Sequence, residues 1–238
     1  MLKIDIVAEN KRLRKKTPNE IIEWAIGLSE KRVVTTSFGT YSSVLLSAIS
    51  KKDNNINVLW CDTGYNNHQT YTHAHNLIEG YGLNINIYTP RQTRGYIDVT
   101  LGLPTADDPK HEDFTEIVKL EPFRRALEEH KPEVWFTNIR VRQTEFRDSK
   151  DILSYSNDGV LKVSPFYYWD NEKLDEFLKE NKLHKNTDYF DPSTTIESDE
   201  DKLLKEWNLN TGKKIILLPG RLTSWKGQEV FIEALNKV

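Results

Sequence analysis

A serine-rich loop at residues 37–43 carries the residue types best suited to chemistry in this sequence. It reads Ser-Phe-Gly-Thr-Tyr-Ser-Ser and lies between a β-branched stretch and an apolar helical pattern. A glycine-containing turn before a helix presents backbone N–H groups, and the helix dipole favours an anion there. We therefore predict phosphate or sulfate binding, with an ordinary serine–glycine turn as the alternative. The predicted binding residues are Ser37, Phe38, Gly39, Thr40, Ser42 and Ser43.

Two more polar stretches follow predicted strands and extend this candidate site. One is the turn Asp62-Thr63-Gly64-Tyr65, and the other is an arginine-rich stretch at residues 140–147. Parallel strands end at one edge of a sheet, where ligands bind, and guanidinium groups pair with sulfate or phosphate in bidentate fashion. Capping of its own turn is the alternative role for Asp62, and a solvated surface is the alternative for the arginines. Arg124 and Arg125 stay open between ligand contact and helix surface.

The single cysteine, Cys61, limits the redox and metal chemistry of the chain. One cysteine excludes an intramolecular disulfide framework, a cysteine-based zinc site and a chain-borne iron–sulfur cluster. Cys61 ends a predicted buried strand beside Asp62, whose carboxylate opposes thiolate formation, so a structural role is predicted and a catalytic one is the minor alternative. Three histidines, at positions 68, 73 and 75, lack a carboxylate at ligand spacing, so no metal site is predicted.

Alternating strand and helix patterns position these residues. Thr17-Pro18-Asn19-Glu20 is a capping box that predicts the start of a helix. The strand–helix–strand order predicts a doubly wound α/β domain with a parallel sheet, and residues 101–118 are predicted to form a mobile loop. Strands are predicted at 33–36, 56–61, 84–88, 134–138 and 160–163, and helices near residues 17 and 42 and at 67–79, 119–130 and 170–181.

Length, composition and charge bound the class of protein. With 238 residues, of which 37% are hydrophobic and 11% aromatic, the chain can bury a core and is not predicted to be disordered. No apolar run nears the roughly 20 residues that span a bilayer, and the N-terminus lacks the apolar core of a signal peptide. A cytoplasmic location is therefore predicted. The basic run at 11–16 is predicted to be a solvated arm, and a net charge of −3 disfavours nucleic acid as a partner.

Five motifs, in order along the chain, resemble the sulfonucleotide reductases: the 3′-phosphoadenylyl sulfate (PAPS) reductase family of the adenine nucleotide α-hydrolase-like superfamily. The motifs are TTSFGTYSSVLL, VLWCDTGYNNHQTY, KLEPFRRALEEH, WFTNIRVRQTEFR and LKVSPFYYWDNEKLDEFLKENKL, within about residues 20–192. The resemblance implies that the serine-rich loop holds the phosphosulfate and that the turn at 62–65 lines the nucleotide site. It also implies roles for Arg140, Gln143 and Arg147, although Val141 replaces a second arginine of the family pattern.

The C-terminal region departs from that family. Its members attack the substrate sulfur with a cysteine in a Glu-Cys-Gly-Leu/Ile-His motif, which these 238 residues lack. Residues from about 200 to 238 instead resemble a fragment of the donor domain of retaining GT-B glycosyltransferases, with Arg221 and Lys226 at its pyrophosphate-binding positions. The predicted domains are a basic arm at 1–16, a nucleotide-binding domain at 17–192, and a linker with a strand–helix appendage at 193–238.

These features predict a PAPS reductase-like protein of sulfate assimilation that binds PAPS or adenosine 3′,5′-bisphosphate. The implied reaction is thiol-dependent reduction of PAPS to sulfite, with thioredoxin or glutaredoxin as reductant, although the motif cysteine is missing. Two alternatives stay open: a non-catalytic nucleotide-binding or scaffold module, and a sulfurtransferase or nucleotidyltransferase relative that cleaves ATP at the α–β bond. The sequence also leaves open whether the chain forms a homodimer.

Overall fold

The computed structural model describes residues 2–105, 107–141 and 150–186. By its internal contacts the chain divides into two compact units. The first comprises Met1–Arg91 and Ile117–Thr187 and contains the sheet. The described part of the second comprises residues 92–105 and 107–116 and contains two short helices. The appendage predicted at 193–238 lies outside the described residues.

Strands and helices alternate along the described part of the chain. The strands are β1 Arg32–Thr36, β2 Asn57–Cys61, β3 Ile85–Tyr88, β4 Val134–Phe136, β5 Leu153–Tyr155 and β6 Leu161–Val163. The helices are α1 Ile6–Leu13, α2 Pro18–Ile26, α3 Ser42–Ser50, α4 His68–Tyr81, α5 Arg94–Thr100, α6 His111–Thr115, α7 Glu121–His130 and α8 Asn171–Glu180, with a π-helical turn at Glu116–Leu120. Among these residues, no helix combines the length and the apolar character that crossing a membrane requires.

The six strands form one sheet in the order β3-β2-β1-β4-β6-β5. Neighbouring strands are parallel except β5 and β6, which are antiparallel. The predicted α/β class with a mostly parallel sheet is confirmed, and the antiparallel edge strand β5 is an addition to it. Parallel pairing brings the carboxyl ends of β1, β2 and β4 to one edge, where Thr36 lies opposite Trp60 and Val34 lies opposite Phe136.

Both faces of the sheet are covered by helices in the first unit. The larger apolar cluster includes Val34 and Trp60 and joins the sheet to α2, α3, α4 and α8. The smaller cluster contains Val33 and Leu59, together with Ala126 from α7. Adjacent strand residues enter different clusters because successive side chains of a strand point to opposite faces. The sheet is therefore doubly wound, as the sequence predicts.

The basic run at 11–16 belongs partly to helix α1: its five basic side chains are exposed, as predicted, but the segment packs on the protein and is not a free arm. Leu13 is buried in the larger apolar cluster. The side-chain amide of Asn10 donates to the carbonyl of Leu153 at 3.1 Å and accepts from its N–H at 2.8 Å. The helix thus docks on edge strand β5. The sequence did not predict this contact because the charges of the run hide its two inward positions.

Most charges of the basic run have partners inside the protein. Arg12 pairs with Glu9 of the same helix and lies over the Trp24 ring. Arg14 pairs with Asp151, which raises the pKa of the guanidinium, and it also lies over the Tyr168 ring. These contacts explain Arg12 and Arg14 as part of the fold.

The segment predicted as a mobile loop at 101–118 is partly helical. It contains α6 and the first residues of the π-helical turn, which leads directly into α7. Charged residues dominate the segment, so its apolar periodicity is too weak to predict a helix. Predicted helices at 67–79, 119–130 and 170–181 agree with α4, α7 and α8 to within two residues at each end.

The capping box of α2 provides a direct test of local stability. The Thr17 hydroxyl accepts from the N–H of Glu20 at 3.3 Å, and the Glu20 carboxylate accepts from the N–H of Thr17 at 2.8 Å. We expect Thr17→Ala to lower the free energy of unfolding by about 1 kcal/mol, because an orphan N–H of the first turn loses its acceptor. Urea denaturation measures the change; an unaltered midpoint would contradict the prediction.

Candidate functional site

The candidate site lies where β1, β2 and β4 end at one edge of the sheet. The serine-rich loop follows β1, the turn at 62–65 follows β2, and residues 137–141 follow β4. Within the loop, Ser37, Gly39 and Thr40 are exposed, whereas Phe38 and Tyr41 are buried. The chain therefore brings the first two predicted stretches and the start of the third to the same edge.

Three carbonyl groups of the serine-rich loop accept hydrogen bonds from two asparagines outside it. The Asn186 side chain donates to the carbonyl of Phe38 at 2.9 Å, and its main-chain N–H donates to that of Thr40 at 3.2 Å. The Asn138 side chain donates to the carbonyl of Tyr41 at 3.1 Å. These donors come from separate parts of the chain, so the conformation of the loop is set by tertiary contacts.

Two of the predicted hydroxyl donors are engaged within the protein. The Ser43 side chain is buried and donates to the carbonyl of His184 at 2.7 Å, so its proton is not available to a bound anion. Ser42 is also buried and lies 3.1 Å from Nε2 of His73 on α4, where either group can donate. Both serines therefore tie the start of α3 to neighbouring segments, and the role predicted for Ser43 is corrected to a structural one.

Phe38 anchors the loop in the core. Its side chain is fully buried and meets the Trp60 ring edge-on, with ring centroids 4.9 Å apart. Its φ of 49° lies in the left-handed region, which is unfavourable for a bulky residue. Phe38 was predicted among the binding residues; the structure gives its side chain a packing role and leaves only its backbone near the site.

Asp62 is the centre of a hydrogen-bonded turn after β2. Its Oδ1 accepts from the N–H of Gly64 at 3.0 Å, from the Asn66 side chain at 2.9 Å and from the Tyr71 hydroxyl at 2.8 Å. Gly64 has a φ of 77°, which glycine adopts without strain. The structure thus supports the turn-capping alternative for Asp62. Thr63, Gly64 and Tyr65 are half-buried along the same turn.

Two cations flank Tyr41 at the N-terminus of α3. The Arg140 guanidinium lies 4.9 Å from the centre of the Tyr41 ring, and the Lys185 ammonium lies 4.8 Å from it. Helix α8 orients both, since Asn171 accepts from Arg140 at 2.9 Å and Asp175 accepts from Lys185 at 2.8 Å. The bond to Asp175 is the main reason that the pKa of Lys185 is raised. Positive charge and a helix N-terminus therefore coincide here.

Cys61 lies on the opposite face of the sheet from Phe38, because it packs against the smaller apolar cluster. Burial raises the pKa of its thiol to about 11, while Arg125 and Lys119 act in the opposite direction. Desolvation, and not the Asp62 carboxylate, is thus the main cause of the raised pKa, and an unreactive thiol stays a prediction.

Arg125 itself is held by α7 and β3. It donates to the Glu121 carboxylate at 3.1 Å and to the carbonyl of Thr89 at 2.7 Å.

Several predicted residues lie outside the described part of the chain. They are Arg142, Gln143, Arg147, Arg221 and Lys226. Among the described residues, no group of three or more His, Cys, Asp or Glu side chains could hold a metal ion. Sequence reasoning assigned no role to Asn138, although it lies in a quoted motif, and it missed Lys185 and Asn186, since lone polar residues in a loop carry no periodicity.

Comparison with known proteins identifies relatives over most of the described chain. The family model of the phosphoadenosine phosphosulfate reductase domain matches residues 31–196. The phosphoadenosine 5′-phosphosulfate reductase of Vibrio vulnificus is 32% identical over 176 residues, which are 73% of this chain and 68% of that protein. That of Proteus mirabilis is 29% identical over 176 residues, or 73% and 72% of the two chains. The family model ends at residue 196 and lends no support to the glycosyltransferase-like fragment.

Solved structures show the same fold. The phosphoadenylyl-sulfate reductase of Candida auris superimposes with a TM-score of 0.68 at 24% identity, covering 78% of this chain and 90% of that one. The NH3-dependent NAD synthetase of Campylobacter jejuni gives 0.50 at 13% identity over 96% of both chains. Sequence motifs, family match and fold agree, and the chain belongs to the phosphoadenosine phosphosulfate reductase family, with a PAPS reductase-like function.

Proposed function

We propose that the chain binds PAPS or adenosine 3′,5′-bisphosphate with a phosphate or phosphosulfate group on the serine-rich loop. The observation that carries the proposal is the coincidence of an exposed turn, the N-terminus of α3 and two cations, Arg140 and Lys185, around Tyr41. A helix N-terminus and guanidinium or ammonium groups favour the same anionic ligand. The related Candida auris reductase was solved as a phosphate complex, which supports an anion site in this fold.

We further infer that a thiol other than Cys61 performs any reduction. Release of sulfite requires a thiolate to attack the sulfur of PAPS, which forms an S–S bond and breaks the S–O bond to adenosine 3′,5′-bisphosphate. A second thiol then attacks the first sulfur, releases sulfite and leaves a disulfide. The Cys61 thiol is half-buried, on the other face of the sheet from Phe38, and has a raised pKa. A dithiol reductant of the thioredoxin or glutaredoxin class would complete the reaction.

Isothermal titration calorimetry with PAPS, adenosine 3′,5′-bisphosphate and ATP tests the proposed ligand. We expect PAPS and adenosine 3′,5′-bisphosphate to bind and Arg140→Gln to weaken their binding at least about tenfold, since one charge-assisted contact is worth roughly 1.5–3 kcal/mol. Lys162→Gln is the matched control, because Lys162 lies over the Trp135 ring away from the loop. Binding of ATP alone, with release of pyrophosphate, would favour the ATP-cleaving alternative. Failure of all three to bind would leave the scaffold alternative.

A further inference from the structure

We propose that Asn186 is a positioning residue for the serine-rich loop: it turns two peptide groups so that their N–H bonds face a bound anion. This inference rests on the proposed function and adds to it the residue that prepares the site. Asn186 follows α8 in sequence, near the C-terminal end of the first unit, whereas the loop lies in the N-terminal segment of that unit. It is not part of the loop motif.

Asn186 donates hydrogen bonds to two carbonyl groups of the loop. Its side-chain amide donates to the carbonyl of Phe38 at 2.9 Å and has a longer contact of 3.4 Å to the Thr70 hydroxyl. Its main-chain N–H donates to the carbonyl of Thr40 at 3.2 Å. A carbonyl can only accept, so the NH₂ group of Asn186 must be the atom that faces Phe38. One residue therefore fixes two carbonyls that are separated by Gly39.

Peptide geometry converts these two bonds into an arrangement of donors. A trans peptide is planar, and its C=O and N–H point in opposite directions; the described residues contain no cis peptide. When Asn186 holds the carbonyls of Phe38 and Thr40, the N–H groups of Gly39 and Tyr41 point to the other side of the loop. Neither N–H has a hydrogen-bond acceptor among the described residues. Main-chain N–H groups that lie close together in a turn and point to one side favour an anion there.

The backbone of the loop needs such support. Phe38 has a positive φ of 49°, a conformation that a bulky residue does not favour by itself. The bond from Asn186 acts on the carbonyl of this same residue, and Asn138 holds the carbonyl of Tyr41 at the other end of the loop. Without the Asn186 side chain the Phe38–Gly39 peptide can rotate, and the N–H of Gly39 loses the direction that it shares with the N–H of Tyr41 before a ligand arrives.

Calorimetry on the full chain with adenosine 3′,5′-bisphosphate separates this role from general stabilisation. Asn186→Ala is compared with Asn181→Ala, because each removes a side-chain donor to a main-chain carbonyl at 2.9 Å, and Asn181 bonds to Phe177 of α8. We expect the dissociation constant to rise at least about tenfold in Asn186→Ala and to change less than about twofold in Asn181→Ala. Thermal melting of both variants reports whether the fold is retained.

Adenosine, which has no phosphate groups, provides a second readout. A purely structural role of Asn186 would lower the affinities for adenosine and for the bisphosphate alike. Asn186→Ala should leave the affinity for adenosine unchanged, measured by NMR titration, while the affinity for the bisphosphate falls. In the wild-type chain the amide signals of Gly39 and Tyr41 should move downfield on addition of the bisphosphate. In Asn186→Ala the movement of the Gly39 signal should be lost, whereas that of Tyr41 should be retained at saturating ligand, because the main-chain N–H of residue 186 still holds the carbonyl of Thr40. Asn186→Leu, which keeps the approximate size of the side chain but has no donor for the carbonyl of Phe38, is a second variant with the same expected losses should Asn186→Ala not fold.

The outcomes distinguish the two proposals. If the wild-type chain binds the bisphosphate and Asn186→Ala binds it equally well, the positioning role is wrong and the proposed function remains. Parallel losses for adenosine and the bisphosphate also contradict the positioning role. If the wild-type chain binds neither, or binds without moving the amide signals of Gly39 and Tyr41, the site of the proposed function is wrong, and the inference falls with it.

Discussion

Cys61 is expected to react with iodoacetamide at pH 8 at least about tenfold more slowly than an exposed cysteine. Burial raises its pKa from 9.0 to about 11, which lowers the thiolate fraction about a hundredfold. The intrinsic nucleophilicity of a thiolate rises with its pKa and recovers up to about a factor of ten. Restricted access to the half-buried thiol slows the reaction further.

The rate of Cys61 alkylation is expected to increase with pH. Because the pKa is raised, the alkylation rate should climb about tenfold per pH unit and should not level off below about pH 11. Mass spectrometry of quenched samples follows the rate, and the chain unfolded in urea is the control with an ordinary thiol. A plateau near pH 8 would contradict the prediction.

The rate of sulfite release from PAPS by the 238-residue chain with thioredoxin should be the same with and without Cys61→Ser.

Phe38→Ala should produce the largest loss of stability among single changes in the serine-rich loop. The side chain is fully buried, and its edge-on contact with Trp60 adds to its burial. Removing a buried phenylalanine ring costs about 3–5 kcal/mol, through lost transfer free energy and the cavity that remains. Since Phe38 also anchors the backbone of the loop, nucleotide affinity should fall with it.

The control for Phe38→Ala is Phe123→Ala. Phe123 packs on Trp135, with ring centroids 5.2 Å apart, in the smaller cluster on the other face of the sheet. Urea denaturation should show that both variants are less stable, and calorimetry should show lost affinity for adenosine 3′,5′-bisphosphate only in Phe38→Ala. Equal effects of the two variants on affinity would mean that the loop does not depend on its aromatic anchor.

The elements with strong local signals were predictable from sequence. The capping box at Thr17–Glu20, the β-branched strand β1 and the apolar stripe of α8 each specify their own structure. Strand β5 has three residues, and three of the eight residues of helix α1 are charged, so neither has a readable period. Both form because a partner is present: β6 pairs with β5, and α1 docks on β5. Tertiary contact overrides propensity in such short elements.

The candidate site was predictable in its location but not in its internal bonding. Strand ends and polar turns indicate where the ligand binds, because parallel strands share one carboxyl edge. The direction of each side chain depends on distant residues. Ser43 donates to the carbonyl of His184, and the pKa of Cys61 reflects burial more than its neighbour in sequence. His184 is more than a hundred positions from Ser43 in sequence. The burial of Cys61 depends on its packing with α7. Residue spacing alone cannot reveal either partner.

The pairing of Asn10 with β5 has a consequence for self-association. The Asn10 amide donates to the carbonyl of Leu153 and accepts from its N–H, as the backbone of an additional strand would. An edge strand with free backbone groups is a template for pairing with other chains and for aggregation. Here a single side chain occupies that template at Leu153, the first residue of β5. The backbone groups of Leu153 are therefore not available to a strand of another molecule.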